Sequence, residues 1–564
     1  GLISGLLHPH PRLLLRSPKR MRKYFFVIFA AWCGVSTVAS GQVPQAPAPA
    51  PKLILVVAID QMRFDFLDRF ASLYRGGLKT LNDRGAVFTN AKYRHAATET
   101  GPGHSILLTG SDPHHSGIVA NDWWDPYLGR VINVIDDPVQ TPIGGPGRPS
   151  SPTNLQTFTV GDVLKSKNVR SRVVGVGLKD RSAILMGGRR ADAAYWFEND
   201  GGNFITSTYY MDAVPAWLAD WNRSRRVDKI APPAWTRLLD DESVYEKHAG
   251  KDAVEGERDR KDITFPHPFV ARPPQTQYYA ELRRTPFGDE VMLEFALEAM
   301  RRHELGQDAD TDVLAIGFAA TDGIGHAWGP DSHEQMDQML RLDQMLGRLF
   351  AQVDSTVGLD NTIVVLSADH GSRPLVEVMQ MRGVEARRVA PKQLETAVVN
   401  ALAGKFGGAA DLISHFATDI YFNEEAIRRR QLNWKEVEAT AIEALMSTGA
   451  VERVFTHADL SSTAPTSDPF LELFRKSFYA PRSPHLNVLP KQNVYINASA
   501  GGTGHGTAWD MDRHVPVVFM GPNIKPGRYA QESAPEDIAP TLAHILKLEF
   551  PKERDSRLLL EMLR

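Results

Sequence analysis

The sequence predicts an α/β fold, a mainly parallel sheet flanked by helices on both faces, with cap insertions. Three observations carry this. Strand-like apolar runs recur at Leu53–Ile59, Arg172–Val176, Ala193–Phe197, Val313–Phe318, Thr362–Leu366, Asn493–Ile496 and Val515–Met520. Helix-like stretches alternate with them at Val160–Ser166, Glu290–His303, Glu334–Val353 and Pro535–Leu546. Such alternation indicates a parallel sheet with crossover helices. Finally, Asp and His residues at metal-ligand spacing come directly after three of the runs, where the carboxyl ends of parallel strands open a shared crevice.

From the amino end, Met21-Arg22-Lys23 begins a positive segment, Tyr24–Ala31 is apolar, and small residues continue to Ser40. This is the pattern of a cleaved secretory signal peptide, with Met21 as the favoured start and residues 1–20 as an upstream extension. The apolar stretch breaks at Cys33-Gly34 and is too short to anchor in a membrane, so no stable membrane insertion is expected. Periplasmic or secreted localisation is the consequence. Cys33 is the one cysteine, so the mature chain has no disulfide and depends on its core and on metals. Residues 41–51 are rich in Pro and Ala and read as a stiff linker to a catalytic domain over 52–564.

The first run ends at Asp60. Next comes Thr98-Glu99-Thr100-Gly101-Pro102-Gly103-His104-Ser105, in which Pro102 suits the first turn of a helix. Thr100 then lies at the helix N-terminus, where backbone N–H groups and the helix dipole favour a phosphate. A hydroxyl there that also meets a metal is activated as a nucleophile. Thr98 is the competitor, and an ordinary helix cap is the alternative role for Thr100. Gly101 allows close approach of a phosphate oxygen, and His104 is read as packed or supporting.

Asn121 comes after a turn and offers a neutral donor to a substrate oxygen. Lys179 and Arg181 lie beyond the Arg172–Val176 run. Spaced i, i+2 at a strand end, they are expected to point to the same side, as two donors to one anion. Residues 226–281 are polar and Pro-rich and break the rhythm. Val313–Phe318 leads to Asp322-x-x-x-His326, and Thr362–Leu366 leads to Asp369-His370-Gly371. Residues 376–490 carry their own helices at Gln393–Ala403 and Trp434–Met446 and return to the sheet at Asn493. Both long segments are expected to cap the carboxyl edge. His505 stands last, in Gly504-His505-Gly506.

Asp60, Asp322, His326, Asp369, His370 and His505 are six hard or borderline ligands, enough for two Zn2+. A two-metal site suggests hydrolysis or transfer of a phosphoryl-type group. Composition fits a globular protein, with 43% hydrophobic and 23% charged residues. A formal net charge of −3 gives no basic excess for nucleic acid. Residues 1–40 hold six Lys/Arg and no Asp/Glu, so their loss takes the charge from −3 to −9.

In these motifs the chain resembles the alkaline phosphatase superfamily, within it the phosphate-irrepressible branch that uses Thr. The resemblance covers nearly everything from Leu53 onward. It implies Thr100 as nucleophile and Asn121, Lys179 and Arg181 as phosphate contacts. One zinc would be held by Asp322, His326 and His505, the other by Asp60, Asp369, His370 and Thr100. The implied activity is hydrolysis of small-molecule phosphate monoesters through a phosphothreonine; the oligomeric state is left open, with a monomer favoured. The nucleotide pyrophosphatase/phosphodiesterase branch shares the metals, the Thr and the Asn but resembles the chain less at Lys179-Asp180-Arg181. A diester lacks the anionic oxygen that two added cations serve, so the pair favours a monoesterase. A catalytically inactive metalloprotein that binds phosphate esters is the non-enzyme alternative.

Overall fold

The computed structural model describes residues 49–258, 261–551 and 555–564. The predicted signal peptide, Met21, Cys33 and most of the linker lie outside the described residues. Among the described residues no helix is long and apolar enough to cross a membrane.

A ten-stranded sheet runs in the order Gly527–Tyr529, Ala86–Phe88, Val517–Met520, Thr362–Ser367, Leu53–Ile59, Asp312–Phe318, Val173–Gly177, Ala193–Glu198, Asn203–Ser207, Pro142–Ile143. The five strands from Thr362–Ser367 to Ala193–Glu198 are mutually parallel. Every residue of Leu53–Ile59 is buried, as an unbroken apolar run in the middle of a two-sided sheet requires. Its alternate residues face opposite ways. Leu53, Leu55, Val57 and Ile59 join a core with Met292 and Phe295 of helix Pro286–Arg302 and Met339 and Leu346 of helix His333–Thr356. Ile54, Val56 and Ala58 join another with Leu107 and Leu108 of helix Thr100–Thr109 and with Ile538 and Leu542 of helix Ile538–Ile545. Helices therefore cover both faces.

Two features depart from the sequence reading. The run at Asn493 does not rejoin the large sheet, because Val494–Ile496 pairs in parallel with Arg387–Val389 in a separate ribbon. The chain re-enters only at Val517–Met520, antiparallel to Thr362–Ser367. The outer strands at Ala86–Phe88, Pro142–Ile143, Asn203–Ser207 and Gly527–Tyr529 are only two to five residues long, too short to declare themselves.

Within residues 376–490, the strands Ile413–Phe416, Ile420–Phe422, Leu486–Pro490 and Val451–Thr456 form a four-stranded sheet. It packs around Leu394, Val398, Val437 and Leu445 of the helices Pro391–Phe406 and Trp434–Ser447. Within residues 226–281, Ala234–Trp235 pairs with His267–Pro268, and the Trp235 indole donates to Asp337 at 2.7 Å, tying the segment to helix His333–Thr356.

Candidate metal centre

Register brings the site together. Ile59 pairs with Phe318, Ala58 with Ser367, and Gly317 with Gly177, so four adjacent parallel strands end within about one residue of each other. Asp60 comes directly after the first strand. Asp322 sits in the first turn of helix Ala320–Trp328, and Asp369 and His370 lie just past Ser367. Lys179 caps helix Asp180–Gly187 just beyond Val173–Gly177.

Two groups of ligand atoms lie within 4.8 Å of one another, Asp60, Asp369 and His370 in one and Asp322, His370 and His505 in the other. His370 belongs to both and stacks on His505 with ring centroids 3.4 Å apart. His326 Nε2 stands 3.1 Å from Asp322 Oδ1 at the exposed rim. Thus all six predicted ligands converge on one place.

The imidazoles are held alike. His326 Nδ1 meets the Thr503 carbonyl at 2.8 Å, His370 Nδ1 the Gly371 carbonyl at 2.9 Å, and His505 Nδ1 the Thr98 carbonyl at 2.7 Å. A carbonyl only accepts, so Nδ1 carries a proton and Nε2 is the nitrogen left to meet a metal or a second proton. Those Nε2 atoms face carboxylates, with His370 Nε2 3.2 Å from Asp369 Oδ2 and 3.5 Å from Asp60 Oδ1. An Nε2 so placed either carries a second proton, as an imidazolium, or gives its lone pair to a cation.

The charge balance agrees. Burial, with the Asp322 and Asp369 charges adding, pushes Asp60 up to about 7. Burial alone would lower His370, but Asp369 and Asp60 carry it up to about 9. Asp60 Oδ1, Asp369 Oδ2 and His370 Nε2 are buried without a hydrogen-bond partner. Three buried carboxylates, inward imidazoles and orphaned acceptors fit divalent metal ions.

Thr100 is the first helical residue, after Glu99 as cap, and its hydroxyl lies 3.3 Å from Lys179 Nζ. Lys179 Nζ is also 2.7 Å from both Asp60 Oδ2 and Asp322 Oδ2. The Thr98 hydroxyl is committed elsewhere, donating to the Thr507 carbonyl at 2.8 Å. Asn121 Oδ1 accepts from Gly101 N–H at 2.7 Å, and Asn121 N–H donates to Glu99 at 2.8 Å. The amide is thereby fixed, and these contacts leave its Nδ2 donor unused.

The strand-end geometry expected for Lys179 and Arg181 does not occur. Strand Val173–Gly177 has already ended, and Arg181 lies in the first helical turn, 3.4 Å from Asp180. Lys179 reaches the centre while Arg181 flanks it.

Gly103 matters more than Gly101. A Cβ at Gly103 would meet the Asp369 carbonyl oxygen at 2.1 Å, whereas at Gly101 the nearest atom is 3.2 Å away. His104 Nδ1 meets the Thr100 carbonyl at 2.9 Å and lies 3.2 Å from Asp369 Oδ2.

Sequence reasoning missed Gln61. Its N–H donates to Asp369 at 3.0 Å and its side chain to Asp322 at 2.7 Å, so it aligns one carboxylate from each group. A polar residue buried directly after an apolar strand was the available signal.

Residues 54–515 match the family described as type I phosphodiesterase / nucleotide pyrophosphatase. The chain belongs to this family. Among its relatives, alkaline phosphatase PhoV of Synechococcus elongatus is 33% identical over 536 residues, 92% of this chain and 94% of the relative. Alkaline phosphatase PafA of Elizabethkingia meningoseptica is 33% identical over 515 residues, 89% and 93% of the two chains. The crystal structure of wild-type alkaline phosphatase PafA superposes with a TM-score of 0.85 at 32% identity, covering 92% of this chain and all of that one. A PafA variant of the same TM-score is substituted at a Thr, an Asn, a Lys and an Arg, the order in which Thr100, Asn121, Lys179 and Arg181 occur here.

Proposed function

We propose that the protein is an extracytoplasmic alkaline phosphatase that hydrolyses phosphate monoesters at a two-zinc site through a phosphothreonine. The observation that carries this reading is the Thr100 hydroxyl. It lies at a helix N-terminus, 3.3 Å from a lysine that is itself wedged between two candidate metal ligands. The phosphatase relatives and the PafA variant support it.

Asp60, Asp369, His370 and Thr100 would hold one metal, and Asp322, His326 and His505 the other. When bound, the ions neutralise the carboxylates, lower the pKa of the Thr100 hydroxyl and stabilise charge on the leaving oxygen. Thr100 Oγ1 attacks phosphorus in line, its bond to phosphorus forms, and the ester P–O bond breaks as the alcohol departs. Water then cleaves the phosphothreonine to release phosphate and free Thr100. Asn121 Nδ2, Lys179 and Arg181 hold the non-bridging oxygens, and the helix N-terminus stabilises the charge on them. Lys179 stays cationic, because Asp322 and Asp60 outweigh the effect of its burial. It serves as a fixed charge and not as a base.

The test compares p-nitrophenyl phosphate with its methyl diester and traps the enzyme in acid during turnover. Faster monoester hydrolysis with a label on Thr100 is expected. Preference for the diester would favour a phosphodiesterase. Binding of phosphate esters without turnover would favour the inactive metalloprotein, and a label on Thr98 would move the nucleophile.

A further inference from the structure

A cavity of about 390 Å³ opens beside the centre and is lined by Lys179, Asp322, His326, Arg258, Arg283 and Arg284 among others. A water molecule occupies roughly 30 Å³, so this space exceeds what the transferred phosphate alone needs. Lys179 links it to Thr100, while Asp322 and His326 put it on the side of the proposed leaving-group metal.

Its three arginines are unevenly matched. Arg258 pairs with Asp262 at 3.2 Å and lies over Trp328 at 5.0 Å. The Arg283 side chain donates to the neutral Asn199 at 3.3 Å. Among the described residues no carboxylate forms an ion pair with Arg283 or Arg284. Burial pushes the Arg283 guanidinium down, and the neighbouring Arg181 and Arg284 charges add to this. The Asp180 charge, the strongest of its charged neighbours, and Asp322 act against this without outweighing it. A part-buried cation beside another, with neutral partners, is costly unless an anion joins them. The arginine fork matches phosphate in particular.

We infer that Arg283 and Arg284, assisted by Arg258, form an anion subsite for the leaving group, and that the protein favours substrates whose leaving group carries its own phosphate. This rests on the phosphatase reading above. For a nucleoside diphosphate, Thr100 would take the terminal phosphoryl group. The bond from phosphorus to the bridging oxygen breaks, and the departing nucleoside monophosphate keeps its charge in the arginine cavity. A leaving group such as p-nitrophenolate has no phosphate to place there.

The experiment measures kcat/KM for ADP and for p-nitrophenyl phosphate in the metal-loaded wild type, in Arg283→Ala/Arg284→Ala and in Arg284→Gln. The double variant should lose roughly ten- to a hundredfold on ADP and at most about threefold on p-nitrophenyl phosphate, the range expected for lost charged hydrogen bonds. Arg284→Gln, at an exposed position, should show the same selectivity with a smaller loss, and it decides the matter if the double variant does not fold. Equal losses on both substrates, or an unchanged ADP rate in Arg284→Gln, would overturn the subsite while leaving the phosphatase reading intact. A wild type that fails to hydrolyse p-nitrophenyl phosphate would remove both.

Discussion

His505 donates through Nδ1 to the carbonyl of Thr98 at 2.7 Å, across 407 residues of sequence. Thr98 in turn donates through its hydroxyl to Thr507 at 2.8 Å. The loop carrying the last candidate ligand is thus stitched to the residue just ahead of the helix bearing Thr100. The proposed nucleophile Thr100 and the candidate ligand His505 are thereby placed relative to one another through Thr98. The competitor Thr98 has its hydroxyl committed to this contact.

Gly103 faces the Asp369 backbone so closely that a single methyl has no room. Gly103→Ala should cost about 1–3 kcal/mol of stability, the usual range for overpacking. Because Asp369 is the group displaced, it should also lower bound metal per chain. Thermal melts and elemental analysis of the same preparation check both. Normal metal content with normal stability would show that the helix moves freely against the Asp369 turn.

Lys179 occupies the centre and Arg181 its flank, so the two should not contribute equally. Lys179→Ala should lower monoester kcat/KM by roughly ten- to a hundredfold, the value of one charged hydrogen bond of about 1.5–3 kcal/mol. Arg181→Ala should cost less, and diester hydrolysis should fall less in both. Steady-state rates on p-nitrophenyl phosphate and its methyl diester measure this, and equal monoester losses from the two variants would contradict the geometry.

Removing metal should abolish activity and lower the melting temperature. The carboxylates at Asp60, Asp322 and Asp369 would then face one another with Lys179 and the neighbouring imidazoles His326 and His370 in place of the ions. Dialysis against a chelator, calorimetry and re-addition of zinc form the measurement. Two zinc ions per chain are expected in the active protein. Full activity with one ion or none would remove the two-metal reading.

His95 gives a pH dependence away from the ligands. It is fully buried, and neither ring nitrogen has a hydrogen-bond partner among the described residues. Burial pushes it down to about 3, with Arg513 and Lys476 adding. A histidine depressed in the native state stays neutral there while the unfolded chain binds a proton below about 6.5. Its contribution is therefore complete above that pH and fades as pH falls toward 3. Between pH 7 and 5 the wild type should lose about 2 kcal/mol more than His95→Phe, at ~1.4 kcal/mol per pH unit. Urea unfolding at both pH values tests this, and parallel losses would mean that His95 is already protonated in the fold.

Much of the site was legible because its chemistry lies beside recognisable strands. Asp60, Asp322, Asp369 and His370 each come after an unbroken apolar run, and a parallel strand delivers the residues beyond its end to the carboxyl edge. Thr100 was legible through Pro102, which marks a helix start whatever surrounds it. Gln61 was not, because one polar residue after a strand does not reveal two carboxylates more than 260 positions away. The pairing of Val494–Ile496 with Arg387–Val389 was equally hidden, since a three-residue run names no partner.

By itself the sequence determined which residues are candidate metal ligands, where the helix bearing Thr100 begins and that a mainly parallel sheet carries them, because these depend on local pattern. Only the tertiary structure decided that His370 joins both ligand groups, that Lys179 enters the centre while Arg181 stays beside it, and that Thr98 and Gln61 are braces. Those are relations between side chains far apart in sequence. Strand register and helix packing set their distances, and no local pattern encodes them.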